Sequence, residues 1–282
     1  MADIVSPTGK PQRLAPVHPN AGITARYRRQ ILALIRGAHD DIARQILEMY
    51  RRHPPEMARD ISPTAFIMRA LRSLVQRWQA RFEEVAPALA GYFGKGAIRH
   101  SDVALSRTLR DAGFTVRFQM TPAAQDILDA TISEQVALIT NIGTQYLSGI
   151  ETAVLQSVQR GGDLKYLSGE LEQRYGIARR RAELIARDQN AKATANMTRA
   201  RQDEIGITEA IWLHSGGGRH PRKEHVAFSR GKLGGPVYDI NKGAYLEGVW
   251  TWPGHEINCR CVSKPLIPGL YDAKQRGKLI SV

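Results

Sequence analysis

Cysteine is almost missing from this chain, with two among 282 residues. That argues against a disulfide scaffold and fits a reducing compartment, where neighbouring cysteines serve more often as metal ligands than as bridges. Aromatic residues are sparse at 7% and do not interleave with the basic clusters, so stacking on single strands has no support. No apolar run approaches the roughly 18–20 residues of a membrane span, and the N-terminus lacks the charged-then-apolar layout of a secretion signal. No Ser–His–Asp arrangement, paired carboxylates or phosphate-cradling glycine loop can be located. Gly216-Gly217-Gly218 and Gly234-Gly235 read as turns, since the sequence pattern around them offers no strand-to-helix context for a phosphate cradle. Enzymatic activity is not expected.

What is present is apolar content and positive charge. A hydrophobic fraction of 43% is enough for a core, and the length suits one large or two modest domains. Forty Lys and Arg stand against 27 acidic residues, a formal charge of +13. Such a surface attracts polyanions and binds phosphate backbones without reading sequence, though it can equally meet an acidic protein surface.

The expected class is α+β: a mainly α-helical N-terminal body with one long helix, then a small C-terminal α+β module. Residues 1–20, with Pro7, Pro11, Pro16 and Pro19, read as an extended arm. Residues 21–175 form the helical body, 176–268 the module and 269–282 a polar tail. Three- and four-residue apolar spacing predicts a helix over 21–53, stopped by Pro54-Pro55, and another over 64–82 that continues towards Tyr92. Gly91, Gly94 and Gly96 are expected to break it before a short helix at 102–112. Alternation over 114–120 predicts a short strand. Thr121-Pro122 starts a helix of nearly forty residues, with Thr as N-cap and Pro at the first helical position. Two further helices, 163–175 and 178–204, are separated at Gly176. Short strands are expected at 209–214, 237–240 and 261–264, with Trp212, Trp250 and Trp252 in the module's core.

The densest chemistry lies at 252–261, WPGHEINCRC, with Trp212, His214, His220 and His225 upstream. His225, His255, Cys259 and Cys261 can supply a tetrahedral thiolate–imidazole set for a structural zinc. The alternative is two small buried thiols beside a histidine that hydrogen-bonds a loop, because Cys-x-Cys is tighter than the usual zinc spacing. A Cys259–Cys261 disulfide is disfavoured, since one intervening residue strains the bridge. The strongest basic element is the 178–204 helix, where Arg179, Arg180, Arg181, Arg187, Lys192, Arg199 and Arg201 can meet DNA or a partner, or simply form a solvated face.

The C-terminal region resembles the phage Mu F-type minor head proteins of the phage head morphogenesis family. The matching pieces run in order: RAELIARDQN at 181–190, EIGI at 204–207, Trp212, then Arg219, Arg222 and His225. A turn at 231–236 follows, then Pro253-Gly254-His255-x-x-Asn258-Cys259-Arg260-Cys261, with Pro265 beyond. Pro16-Val-His-Pro-Asn20 before a basic helix is similar to N-termini of this group. The chain departs from the pattern at Asp188-Gln189, where many relatives have Thr-Glu, and at Pro253-Gly254, where they have Pro-Pro.

The resemblance implies a low-copy virion protein of a tailed phage or prophage, portal-associated or internal, acting in head morphogenesis, DNA packaging or genome delivery. Portal and other head proteins are the implied partners, with non-specific double-stranded DNA. Assembly would take place in the bacterial host cytoplasm, with the virion head as destination. Two other readings stand beside it: a metal-dependent nuclease or toxin-like effector domain using His255, and a free non-specific DNA-binding protein.

Overall fold

The computed structural model describes residues 12–52, 63–218, 220–233 and 235–267. The first eleven residues of the arm, the Pro54-Pro55 stop, Arg219, Gly234 and the polar tail lie outside these. Among the described residues the order is β1 (Gln12–Arg13), α1 (Ala21–Arg52), α2 (Pro63–Asp111), α3 (Pro122–Gln159) and α4 (Leu164–Glu204). The module follows with β2 (Glu209–Leu213), α5 (Lys223–Ser229), β3 (Val237–Asp239), β4 (Ala244–Leu246), β5 (Val249–Thr251) and β6 (Val262–Ile267). The expected class, a mainly helical protein with a small α+β module, is what the chain adopts.

Four helices carry most of the chain. Asn20 caps α1, its Oδ1 accepting the Gly22 and Ile23 N–H groups at 2.8 and 3.2 Å. Thr121 caps α3 through Oγ1 to the Ala124 N–H at 3.2 Å, with Pro122 at the first helical position as expected. Two expected breaks do not occur. Helix α2 runs unbroken through Pro87 and the three glycines. Its buried stripe explains why: Phe82, Ala86, Ala90, Phe93, Ala97, Ser101, Leu105 and Leu109 recur every three or four residues across that stretch. Helix α4 likewise passes Gly176 without interruption. Packing of a continuous face outweighs a propensity cost of about 1 kcal/mol per interior glycine. The strand expected at 114–120 is also absent, that stretch being irregular while Phe114 is buried.

By internal contacts the chain divides into two compact units. One comprises residues 1–23, 93–131 and 187–282, the other 24–92 and 132–186. This differs from a single cut near residue 176, because the boundaries fall inside the continuous helices α1, α2, α3 and α4.

The second unit is a helical bundle. Helices α1 and α3 run parallel: Tyr27 meets Gln135, His39 meets Tyr146, and Tyr50 meets the Val154 carbonyl. Helix α4 runs antiparallel to α3, with Arg174 against Gly149 and Arg181 bonded to Asn141 and Gln145. Phe82 of α2 packs over Gly143 of α3, where a Cβ would come within 2.5–2.8 Å of the ring. Gly143→Ala is therefore expected to destabilise the unit. Overpacking costs about 1–3 kcal/mol, only partly offset by about 1 kcal/mol of helix propensity. Thermal unfolding measures the difference.

Two tyrosines give this unit an alkaline limit. Burial, aided by Glu134, pushes the Tyr27 hydroxyl far above its ordinary value of 10.0, and burial, aided by Glu172, does the same to Tyr146. The folded pKa is raised, so the neutral form is the one the fold favours. Its stabilisation is complete below the unfolded value and is lost as pH rises beyond it. Urea stability should fall from pH about 10 upward, and Tyr27→Phe should flatten that slope.

The first unit is built on a four-stranded antiparallel sheet, in the order β1-β6-β2-β3. The described part of the Pro-rich arm is its edge: Gln12 pairs with Ile267, Arg13 with Leu266, and the Leu14 N–H donates to the Pro265 carbonyl at 3.0 Å. Leu14 and Val17 are buried with Leu105, Leu109, Phe114, Ile205, Ile207 and Ile267. A second core holds Ala210, Trp212, Phe228, Tyr238, Ile240 and both cysteines. Strands β4 and β5, unforeseen from sequence, form a hairpin whose two-residue turn, Glu247-Gly248, has both φ positive at 51° and 81°. That is the backbone of a type I′ turn, whose twist matches paired strands.

Candidate metal centre in a basic cleft

The short helix α5 presents His225, and the loop before β6 presents Cys259 and Cys261. All three are buried at 2–5% exposure. The Nδ1 of His225 lies 3.6 Å from the Cys259 Sγ and 3.8 Å from the Cys261 Sγ. The three ligand atoms lie within 4.8 Å of one another, and both thiols are free of disulfide. Three of the four expected zinc ligands are thus brought together.

His255 is not. Its side chain is 42% exposed, with Nδ1 4.0 Å from Glu256 and its ring against Trp252 at 5.9 Å. The reason is the turn it sits in, closed by the His255 N–H to the Trp252 carbonyl and the Cys259 N–H to the Glu256 carbonyl. Gly254 holds φ at +83°, a conformation closed to proline. A Cβ there would meet Ala195, the Ala191 carbonyl and the Cys261 carbonyl at 3.3–3.5 Å, so the loop lies directly on α4.

The loop's shape is set by residues the spacing argument did not single out. Asp188, itself buried, accepts the Asn258 N–H at 2.7 Å, which secures Asn258 at a φ of +62°. Arg187 donates to the Asn258 Oδ1 at 2.9 Å, and Arg222 donates to the Ile257 carbonyl at 3.0 Å. The Gly254 N–H reaches the Cys259 sulfur at 3.4 Å. Asn190 donates to the Asn20 carbonyl at 2.8 Å, and His100 bonds the His18 carbonyl, which fixes the end of the arm. The ordered motif pieces at 16–20, 187–190 and 254–261 are therefore one contact network. An Arg-Asp pair on a helix and an Asn before the cysteines were the available signal.

The electrostatics favour one thiolate. A hydrogen bond from the Cys261 thiol holds Cys259 below the ordinary thiol range despite burial, and the His225 ring and the Gly254 N–H add to it. The same contact, with burial, pushes the Cys261 thiol up. The Trp212 ring, itself fully buried, meets His225 edge-on at 4.9 Å.

The three ligands line a cleft of about 570 Å³ with Arg187, His214, His220, Arg222, Asn258 and Arg260 among its walls. No carboxylate lines it among the described residues. The Nδ1 of His214 accepts the Gly216 N–H at 3.1 Å.

The arginines assigned to one basic helix face have separate fates. Arg179, Arg180 and Arg187 are exposed and Lys192 is half-buried. Arg181 is committed to Asn141 and Gln145. Arg199 covers the Trp252 ring at 4.2 Å. Arg201 is 1% exposed, bonded to Asp102, Glu204 and the Gln119 carbonyl, and is not available to a partner. Charge on a long helix does not reveal which cations its neighbours neutralise. Trp212 is fully buried as expected and Trp252 is half-buried, with Nε1 donating to the Ile240 carbonyl at 2.8 Å. Trp250 instead is 58% exposed, paired with Tyr245 on the outer face of the hairpin, because Ala244, Leu246 and Thr251 take the inner one.

Residues 148–264 match the family described as phage Mu protein F like protein, which bears out the resemblance read from the motifs. An uncharacterized protein of Haemophilus influenzae is 24% identical over 260 residues, covering 91% of this chain. The chain spans 56% of that relative's length. No solved structure matches.

Proposed function

We propose that the protein is a minor head protein of a tailed bacteriophage or prophage, acting in head morphogenesis through contacts with portal and other head proteins. The observation that carries this reading is the convergence of the motif residues. Arg187, Asp188, His225, Gly254, Asn258, Cys259 and Cys261 meet in one locus inside the stretch that matches the family. The exposed arginines and the charge of +13 suit a protein that lies against packaged DNA, gripping phosphates without reading bases. The reading assigns no turnover to the chain.

The test is assembly. Co-expressed with the portal, scaffolding and major capsid proteins of its own phage, the chain should co-sediment with procapsids at low copy. It should be lost from particles assembled without portal. Free protein in the supernatant in both cases overturns the proposal. A nuclease would instead show Mg²⁺- or Mn²⁺-dependent DNA cleavage that His255→Ala abolishes. A free DNA-binding protein would show steep salt dependence and no particle association.

A further inference from the structure

We propose that His225, Cys259 and Cys261 bind one zinc ion whose fourth position opens onto the cleft, where a phosphate group binds against Arg260. The fit is quantitative. Zn–S bonds of about 2.3 Å and Zn–N bonds of about 2.0–2.1 Å at tetrahedral angles place N and S about 3.6 Å apart. The two N···S distances are 3.6 and 3.8 Å. Two sulfurs and an imidazole select zinc over magnesium or calcium, which take oxygen ligands.

Three protein ligands with one position left over is the arrangement of zinc sites that exchange a ligand, whereas structural sites close with four. Among the described residues no further His, Cys or carboxylate joins the cluster, and His255 lies outside it. The three ligands share the cleft with Arg187, Arg222 and Arg260. Arg187 is occupied by Asn258, and Arg222 by Glu247 and the Ile257 carbonyl. Arg260 is exposed and has no hydrogen bond or ion pair among the described residues. Set between the two cysteines in sequence, it is the guanidinium left to pair with an anion, and its planar fork matches phosphate geometry. For a protein set against DNA the matching anion is a phosphate group, supplied either as free phosphate or as the terminal phosphate of a DNA end.

Cobalt titration of the full-length reduced protein tests both parts. We expect one Co²⁺ per chain, displaced by Zn²⁺, with thiolate-to-metal charge-transfer absorption that Cys259→Ser and Cys261→Ser abolish. Inorganic phosphate should then shift the d–d bands. Arg260→Gln should keep the cobalt stoichiometry and weaken the phosphate response about tenfold, the loss of one charge-assisted pair. A shift by a 5′-phosphorylated duplex but not by its unphosphorylated twin would identify the DNA end as a source. Sub-stoichiometric cobalt, or equal binding by a folded Cys259→Ser, overturns the metal site. Bands indifferent to every phosphate, or lost with His214→Ala or His220→Ala, overturn the open position. Because Arg260→Gln alters no ligand, the second part stays testable even if the cysteine variants fail to fold.

Discussion

Trp212→Ala should remove about 3–5 kcal/mol from the unit that carries the cleft, the range of large-to-small changes at fully buried aromatics. The indole has no solvent exposure and sits at the centre of its cluster. It touches His225 at 4.9 Å, Phe228 at 5.8 Å and Tyr238 at 5.9 Å, all near edge-on. The strand β2 that carries it pairs on both sides, with β6 and β3, so a void there cannot close by a strand shift without breaking a ladder. Trp212→Phe, which keeps a ring against His225, should lose distinctly less. Urea unfolding by circular dichroism measures both. A loss below about 1 kcal/mol for the alanine variant would mean that the site collapses freely. The consequence for the cleft is direct, since the ring that holds His225 in place is the one removed.

Arg201→Ala should cost about 3 kcal/mol in the same unit, the lower end of the range for breaking a buried ion pair by deleting one partner. The guanidinium binds Asp102 with two bonds at 2.8 and 3.1 Å, Glu204 at 2.8 Å and the Gln119 carbonyl at 2.7 Å. Deleting it strips both carboxylates of their shared cation. The lower end applies because Asp102 and Glu204 keep 23% and 12% of their exposure, so water can reach them. Adding Asp102→Asn to Arg201→Ala should recover part of the loss. No recovery would show that the cost lies in packing against Phe118, whose ring is 5.1 Å from the guanidinium, and not in stranded charge.

Much of the secondary structure was legible in local signals. The apolar spacing of Tyr27, Ile31, Ile35, Ile42 and Ile46 gives α1, and every one of those side chains is fully buried. Thr121-Pro122 marks the start of α3 to the residue. Strands β2, β3 and β6 overlap the stretches expected at 209–214, 237–240 and 261–264, with β6 running on to Ile267. The two missed helix continuations have one cause. Pro87, the glycines of α2 and Gly176 are local signals against helix, and they lose to a continuous buried face in which alanines such as Ala86, Ala90, Ala97, Ala178 and Ala182 alternate with larger apolar side chains.

The candidate site divides in the same way. Two cysteines and a histidine-rich segment announce ligand chemistry from the chain alone, and so does the excess of positive charge. Which histidine joins the cysteines depends on contacts across the fold. Asp188 reaches Asn258 over 70 residues of sequence and tightens the loop, so that His255 turns outward while His225 arrives from α5. The arm is a similar case: proline made it extended, but only the unpaired edge of β6 made it a strand. Arg201 and Arg260 carry the same charge in the sequence, yet two carboxylates packed beside one of them make it a buried strut, while the other is left facing a cleft. Periodicity and residue chemistry are local, so the helices and the kind of site follow from the sequence. Membership in the site and the use of each charge are settled by long-range neighbours, which exist only once the chain has folded.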